Sequence, residues 1–154
     1  MNKVSVTSVG KSYKKLEPQM ASVLKKLISL TKKGDFFTSL YLVDNRTMRK
    51  LNRDYRKKDK VTNVLSFVPP KGFIMPSNVP KTLGEIYLAP DYIRIHNEDI
   101  VYLLIHGFLH LLGFEHERKN DTIRMQKMEK HLLHKIKKSK LKNQNLGVPA
   151  ERFI

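Results

Sequence analysis

Cysteine is absent from this chain, which excludes disulfides and cysteine-ligated zinc and fits a reducing compartment. No apolar run approaches the ~18 residues of a membrane span. The N-terminal stretch MNKVSVTSVGKSYKK lacks the apolar core of a secretory signal. A cytoplasmic protein with no membrane partner is therefore expected. There is no internal repeat, low-complexity linker or break in composition, so residues 1–154 are expected to form a single domain. Acidic residues are scarce: fourteen Asp+Glu face thirty Lys+Arg, a net charge of +16. Such an excess favours a polyanionic partner through long-range attraction and counterion release, nucleic acid above all. Charge alone does not separate that reading from a basic surface that is merely solvated.

What is present is a regular alternation of apolar patterns. Lys3 to Ser8 alternates like a strand. Pro18 suits the first turn of a helix running to about Lys32, with Met20, Val23, Leu24, Leu27, Ile28 and Leu30 as its apolar stripe and Gly34 as its stop. Phe36 to Val43 reads as a strand, and Asp44 or Asn45 caps a basic helix reaching about Tyr55. Asn63 to Val68 is a strand ended by Pro69-Pro70; Lys71 to Lys81 is an exposed loop; Leu83 to Leu88 is a strand closed by Pro90. Asn97 caps a central buried helix whose body is Ile100 to Leu112 and whose stop is Gly113. A last amphipathic helix spans roughly Asp121 to Lys137, and a basic tail from about residue 139 to 154 is expected to fray. The order predicts an α+β fold: a mixed four-stranded sheet packed with helices, with a metal site on the central helix and the turn after it.

Three of the chain's six histidines fall in the eleven-residue segment His106-Gly107-Phe108-Leu109-His110-Leu111-Leu112-Gly113-Phe114-Glu115-His116. Residues four apart share a helical face, so His106 and His110 can aim two imidazoles at one point. Gly113 permits the left-handed turn that returns His116 as a third ligand. Three neutral nitrogens suit one transition-metal ion, zinc foremost, and leave a coordination position open, as catalytic sites do. The competing view places two unpartnered imidazoles in an aliphatic helix, which is costly. The spacing also resembles that of zinc peptidases, but those carry a glutamate general base directly after the first histidine. Gly107 stands there instead, marking close approach of either a substrate or a packing partner.

With glycine in that slot, the segment resembles the signature of the YbeY family of bacterial rRNA-maturation endoribonucleases, His-Gly-x-Leu-His-Leu-x-Gly-Tyr-Asp-His. Leu51-Asn52-x-x-Tyr55-Arg56-Lys57-Lys58-Asp59-Lys60-x-Thr62-Asn63-Val64-Leu65-Ser66-Phe67 is similar to that family's arginine-containing loop and following strand. Leu83-Gly84-Glu85-Ile86 is similar to its Leu-Gly-Asp-Ile strand. The matches occur in the family's order, from roughly Phe36 to His116.

The resemblance implies a zinc-dependent, single-strand-specific endoribonuclease, a hydrolase of phosphodiester bonds acting in 16S rRNA 3′-end maturation and ribosome quality control. It implies one zinc ion on His106, His110 and His116, and Arg56 as a basic catalytic residue facing the same cleft. Its partners would be rRNA of the ribosomal small subunit and ribosomal proteins, with no DNA. Phe114 and Glu115 depart from the family's Tyr and Asp. Glu115 keeps a carboxylate that could assist proton transfer or simply face solvent. The segment between Ala89 and Asn97 looks shorter than the family's.

Two basic stretches suit an RNA track: eight basic against three acidic residues from Asp44 to Lys60, and ten against three from Glu117 to Lys142. Phe73 and Tyr87 are candidates for stacking on bases or for packing, and His131 with His134 reads as a surface pair. A zinc hydrolase of another class, metallopeptidase-like, and a non-catalytic metal-stabilised ribosome-binding module are the alternatives.

Overall fold

Alternation along the first strand, β1 (Lys3–Val9), turns Val4 and Val6 toward a helical layer and leaves their neighbours exposed. The computed structural model describes residues 3–32 and 34–145, with side chains placed through residue 140. Helix α1 (Glu17–Thr31) carries Pro18 in its first turn and buries Met20, Val23, Leu24, Leu27 and Ile28 as one stripe. Strand β2 (Phe36–Val43) follows. Helix α2 (Asn45–Arg56) is capped by Asp44, whose carboxylate accepts from the Thr47 amide at 2.9 Å. Strands β3 (Val64–Phe67) and β4 (Lys81–Leu88) flank the long loop, and helices α3 (Pro90–Ile95), α4 (Ile100–Leu111) and α5 (Lys119–Asn145) complete the described chain.

The fold is the expected α+β domain with a mixed four-stranded sheet. Strand order is β1-β2-β4-β3, with β1, β2 and β4 parallel and β3 antiparallel to β4. Because side chains alternate across a sheet, Leu40, Leu42, Ile86 and Leu88 enter the main core with α1, α4 and α5. Tyr41, Val43, Tyr87 and Ala89 turn to the other face, which α2 covers through Met48 and Leu51. Helix α4 runs through the middle of the main core, with Leu104, Ile105, Phe108 and Leu109 fully buried.

Four local expectations are corrected. Pro90 does not merely close β4; it opens the short helix α3, because its fixed φ and missing N–H suit a first helical turn. The cap of α4 is Asp99, not Asn97: its carboxylate accepts from Val101 N at 2.9 Å and from Tyr102 N at 3.4 Å. Asn97 instead sits at φ 53° in the turn after α3, and Glu98 binds the Asn63 amide at 2.9 Å. Strand β4 starts at Lys81, earlier than Leu83, and accommodates a register shift opposite Phe37 and Thr38. Gly84 (φ 124°) is required there, since a Cβ would run into the Phe67 carbonyl. Helix α5 is continuous through Asn145, beyond Ser139; the rest of the expected tail lies outside the described residues. No described helix is long and apolar enough to cross a membrane.

Candidate metal centre

Helix α4 sets His106 and His110 one turn apart, with their Nε2 atoms 3.1 Å from each other. The chain then reverses in a left-handed turn: Gly113 N donates to His110 O at 3.1 Å and Phe114 N to Leu109 O at 3.0 Å, with Gly113 at φ 94°. That reversal returns His116, whose ring centroid lies 5.0 Å from His110 and 5.8 Å from His106. Thr122 Oγ1 donates to the His116 carbonyl at 3.1 Å and ties the turn to α5. One ring nitrogen from each histidine lies within 4.8 Å of the others.

This donor set fits a metal. Tetrahedral zinc with Zn–N bonds near 2.0–2.1 Å needs nitrogens about 3.3 Å apart. The α4 pair already meets that spacing, and the remaining closure falls to His116, the exposed member. Burial, and then the neighbouring His106 and His116, hold His110 below the ordinary histidine range. A neutral imidazole is the form that ligates metal.

A carboxylate stands behind the cluster. Glu129 of α5 is 3% exposed, with Oε1 3.6 Å from His106 Nδ1. Burial, and then the neighbouring Glu129 carboxylate, push the Tyr102 hydroxyl up to about 12. Glu129 Oε2 has no protein partner among the described residues. Asn63, Tyr102, His106, His116 and Glu129 share a cleft of about 380 Å³. A larger cavity of about 630 Å³, between the start of α1 and α3, contains none of the three histidines.

Gly107 faces the sheet. Its carbonyl accepts from Ser66 Oγ at 2.8 Å, and a Cβ would lie 3.0 Å from Ser66 Oγ and Val64 Cγ2 and 3.1 Å from Ile86 Cγ2. Close packing therefore explains this glycine, and the slot of a peptidase glutamate points into β3 and β4.

None of the other candidates lines that cleft of about 380 Å³. Arg56 is exposed at the end of α2, which packs on the opposite sheet face, and makes no ion pair among the described residues. Its helix neighbours are paired, Arg49 with Asp59 at 2.9 Å and Arg53 with Asp54 at 3.4 Å. The segment after Arg56 leads round the β3 edge to Asn63 in the cleft, held by Asn52 Nδ2 donating to Lys60 O at 2.8 Å. Glu115 is exposed, without a hydrogen bond or ion pair among the described residues. Tyr87 is a packing residue, stacked on Tyr41 with centroids 4.8 Å apart. Phe73 is exposed on the long loop, and His131 and His134 are exposed on α5.

Sequence reasoning missed Glu129 and Tyr102. A signal existed for the first: Glu129 falls on the buried stripe Met125, Leu132 and Ile136 of α5, where a carboxylate needs a reason to be.

The sequence model of the family described as Endoribonuclease YbeY matches residues 2–137. Among curated relatives bearing the same description, that of Myxococcus xanthus is 43% identical over 106 residues, 62% of this chain and 35% of that protein. That of Finegoldia magna is 40% identical over 106 residues, 64% of this chain and 67% of that protein. That of Syntrophotalea carbinolica is 29% identical over 147 residues, 89% of this chain and 97% of that protein. The chain spans from 35% to 61% of the first four of these relatives. The solution structure of a Thermotoga maritima protein is similar with a TM-score of 0.51 and 26% identity, covering 88% of this chain and 93% of that one.

Proposed function

This chain belongs to the YbeY family of endoribonucleases, and from that premise we propose that it is a zinc-dependent, single-strand-specific endoribonuclease. Its substrate is the 3′ end of 16S rRNA on the ribosomal small subunit, and its role is maturation and quality control in the cytoplasm. Ribosomal proteins are its expected contacts, and DNA is not a substrate. The observation that carries the reading is the convergence of His106, His110 and His116, the first and last of which line one cleft, in a strongly basic protein.

His106, His110 and His116 would hold one zinc ion. Bound there, the ion supplies Lewis acidity beside a scissile phosphate. Arg56, without an ion pair among the described residues while Arg49 and Arg53 are paired, binds a phosphate oxygen and offsets the charge that grows during cleavage. Glu115, exposed on the turn beside His116, is available to carry a proton to or from solvent. Lysines and arginines of residues 44–60 and of α5 grip the backbone without reading sequence, so selectivity comes from RNA shape or from the ribosome.

The peptidase alternative loses its base, because the position after His106 is filled by sheet packing. The binding-module alternative is separated by experiment. Protein of measured zinc content is incubated with single-stranded rRNA and with ribosomes, beside His110→Ala. Cleavage that follows zinc and vanishes in His110→Ala supports the enzyme; equal cleavage by both preparations overturns it.

A further inference from the structure

A second ligand-side interaction is built into α5. Metal coordination through Nε2 requires His106 to carry its proton on Nδ1, and Nδ1–H then needs an acceptor. Nε2 of His106 faces His110 at 3.1 Å, so Nδ1 is the nitrogen turned away from the cluster, and what it meets is Glu129 Oε1 at 3.6 Å. Glu129 lies on a stripe otherwise made of Met125, Leu132 and Ile136. Burying a carboxylate there is costly unless something compensates it. Among the described residues His106 Nδ1 is the group set against Oε1, Tyr102 lines the same cleft, and Oε2 is without a protein partner. A purely structural carboxylate would be expected to satisfy both oxygens.

We propose that Glu129 is a positioning residue for the metal: it accepts the His106 Nδ1 proton, fixes that ring's tautomer and orientation, and leaves Nε2 free to ligate. Tyr102 of α4 lines the same cleft beside Glu129, so the carboxylate of α5 stands between two groups of α4. The separation of 3.6 Å closes to a hydrogen bond by a small rotation of the imidazole. This rests on the reading of the three histidines as metal ligands.

The test uses the full-length chain stripped of metal, with Glu129→Met and Glu129→Gln. Met keeps the volume and removes the acceptor, whereas Gln keeps one acceptor oxygen and removes the charge. Two readouts are independent of catalysis: zinc affinity by competition with a chromophoric chelator, and the His106 tautomer from long-range proton–nitrogen spectra at pH 8. Expected for Glu129→Met is a zinc Kd raised about 10- to 100-fold, the range for loss of an outer partner, with His106 moving from the Nδ1–H towards the Nε2–H form. Glu129→Gln should keep the Nδ1–H form and weaken zinc about 3- to 10-fold, a partial rescue. A Kd for Glu129→Gln within about twofold of the parent overturns the proposal, whether or not Glu129→Met folds. So does an unchanged His106 tautomer in folded Glu129→Met. A merely structural Glu129 would lower the unfolding temperature of the metal-free variants and leave both readouts alone. If the unsubstituted chain binds no zinc, the metal reading fails; the tautomer comparison, made without metal, still decides whether Glu129 directs His106.

Discussion

Gly107→Ala pits two well-defined effects against each other. Alanine is favoured over glycine inside a helix by about 1 kcal/mol. Against this, the new methyl would sit 3.0–3.1 Å from Ser66 Oγ, Val64 Cγ2 and Ile86 Cγ2. None of these atoms yields readily. Val64 and Ile86 are β-branched and stiff at χ1, they lie on the hydrogen-bonded strands β3 and β4, and Ser66 is tied to the Gly107 carbonyl at 2.8 Å. Relief requires α4 to lift from the sheet, and overpacking of this kind costs about 1–3 kcal/mol. Set against the propensity gain, the net loss centres near 1 kcal/mol, a fall in Tm of about 2–4 °C for a domain this size. Thermal unfolding of the metal-free protein by circular dichroism measures it. A Tm equal to or above that of the parent would refute the argument and return Gly107 to the substrate side. Because α4 carries His106 and His110 together, their mutual spacing should survive, and zinc affinity should change far less than in Glu129→Met.

Arg56→Ala should lower RNA cleavage about 100-fold or more while zinc content is unchanged; full activity removes Arg56 from the mechanism. Asp44→Ala removes the α2 cap and should cost about 1 kcal/mol at neutral pH, read by denaturant unfolding. The Thr47 hydrogen bonds hold the Asp44 carboxyl below its ordinary range. Its contribution is therefore complete above the ordinary carboxylate pKa of about 3.9 and is lost as pH falls through the lower folded value, so parent and variant should converge in acid. Asn52→Ala frees the Lys60 carbonyl and should cost about 1 kcal/mol. Hydrogen exchange of residues 57–60 should then quicken, whereas unchanged protection would show that the Arg49–Asp59 pair alone holds that segment.

The parts of the fold readable from sequence were those in which one local rule acts unopposed. Strand alternation, the α1 stripe and the Gly113 stop each point one way, and His106, His110 and His116 follow from helix geometry plus one turn. Competing local rules hid the rest. Pro90 is equally legal as the end of a strand and as the first residue of a helix, and only tertiary room for α3 decides. Asn97 and Asp99 are both good caps, and the choice turned on Glu98 reaching Asn63 across the sheet edge. Glu129 is a long-range matter: its apolar stripe was readable, but its neighbour His106 lies on another helix. Gly107 stayed ambiguous until the atoms of β3 and β4 could be placed around it.

The unequal footing of the three histidines has a kinetic consequence. Two stand on a buried helix that cannot move without disturbing the core, and the third hangs on an exposed turn hinged at Gly113. His106 and His110 would therefore offer an ion two fixed donors, and His116 a third donor whose position can adjust. Residence time would be governed by the turn and by the Thr122 hydroxyl that tethers it, so lifetime and affinity answer to different parts of the chain.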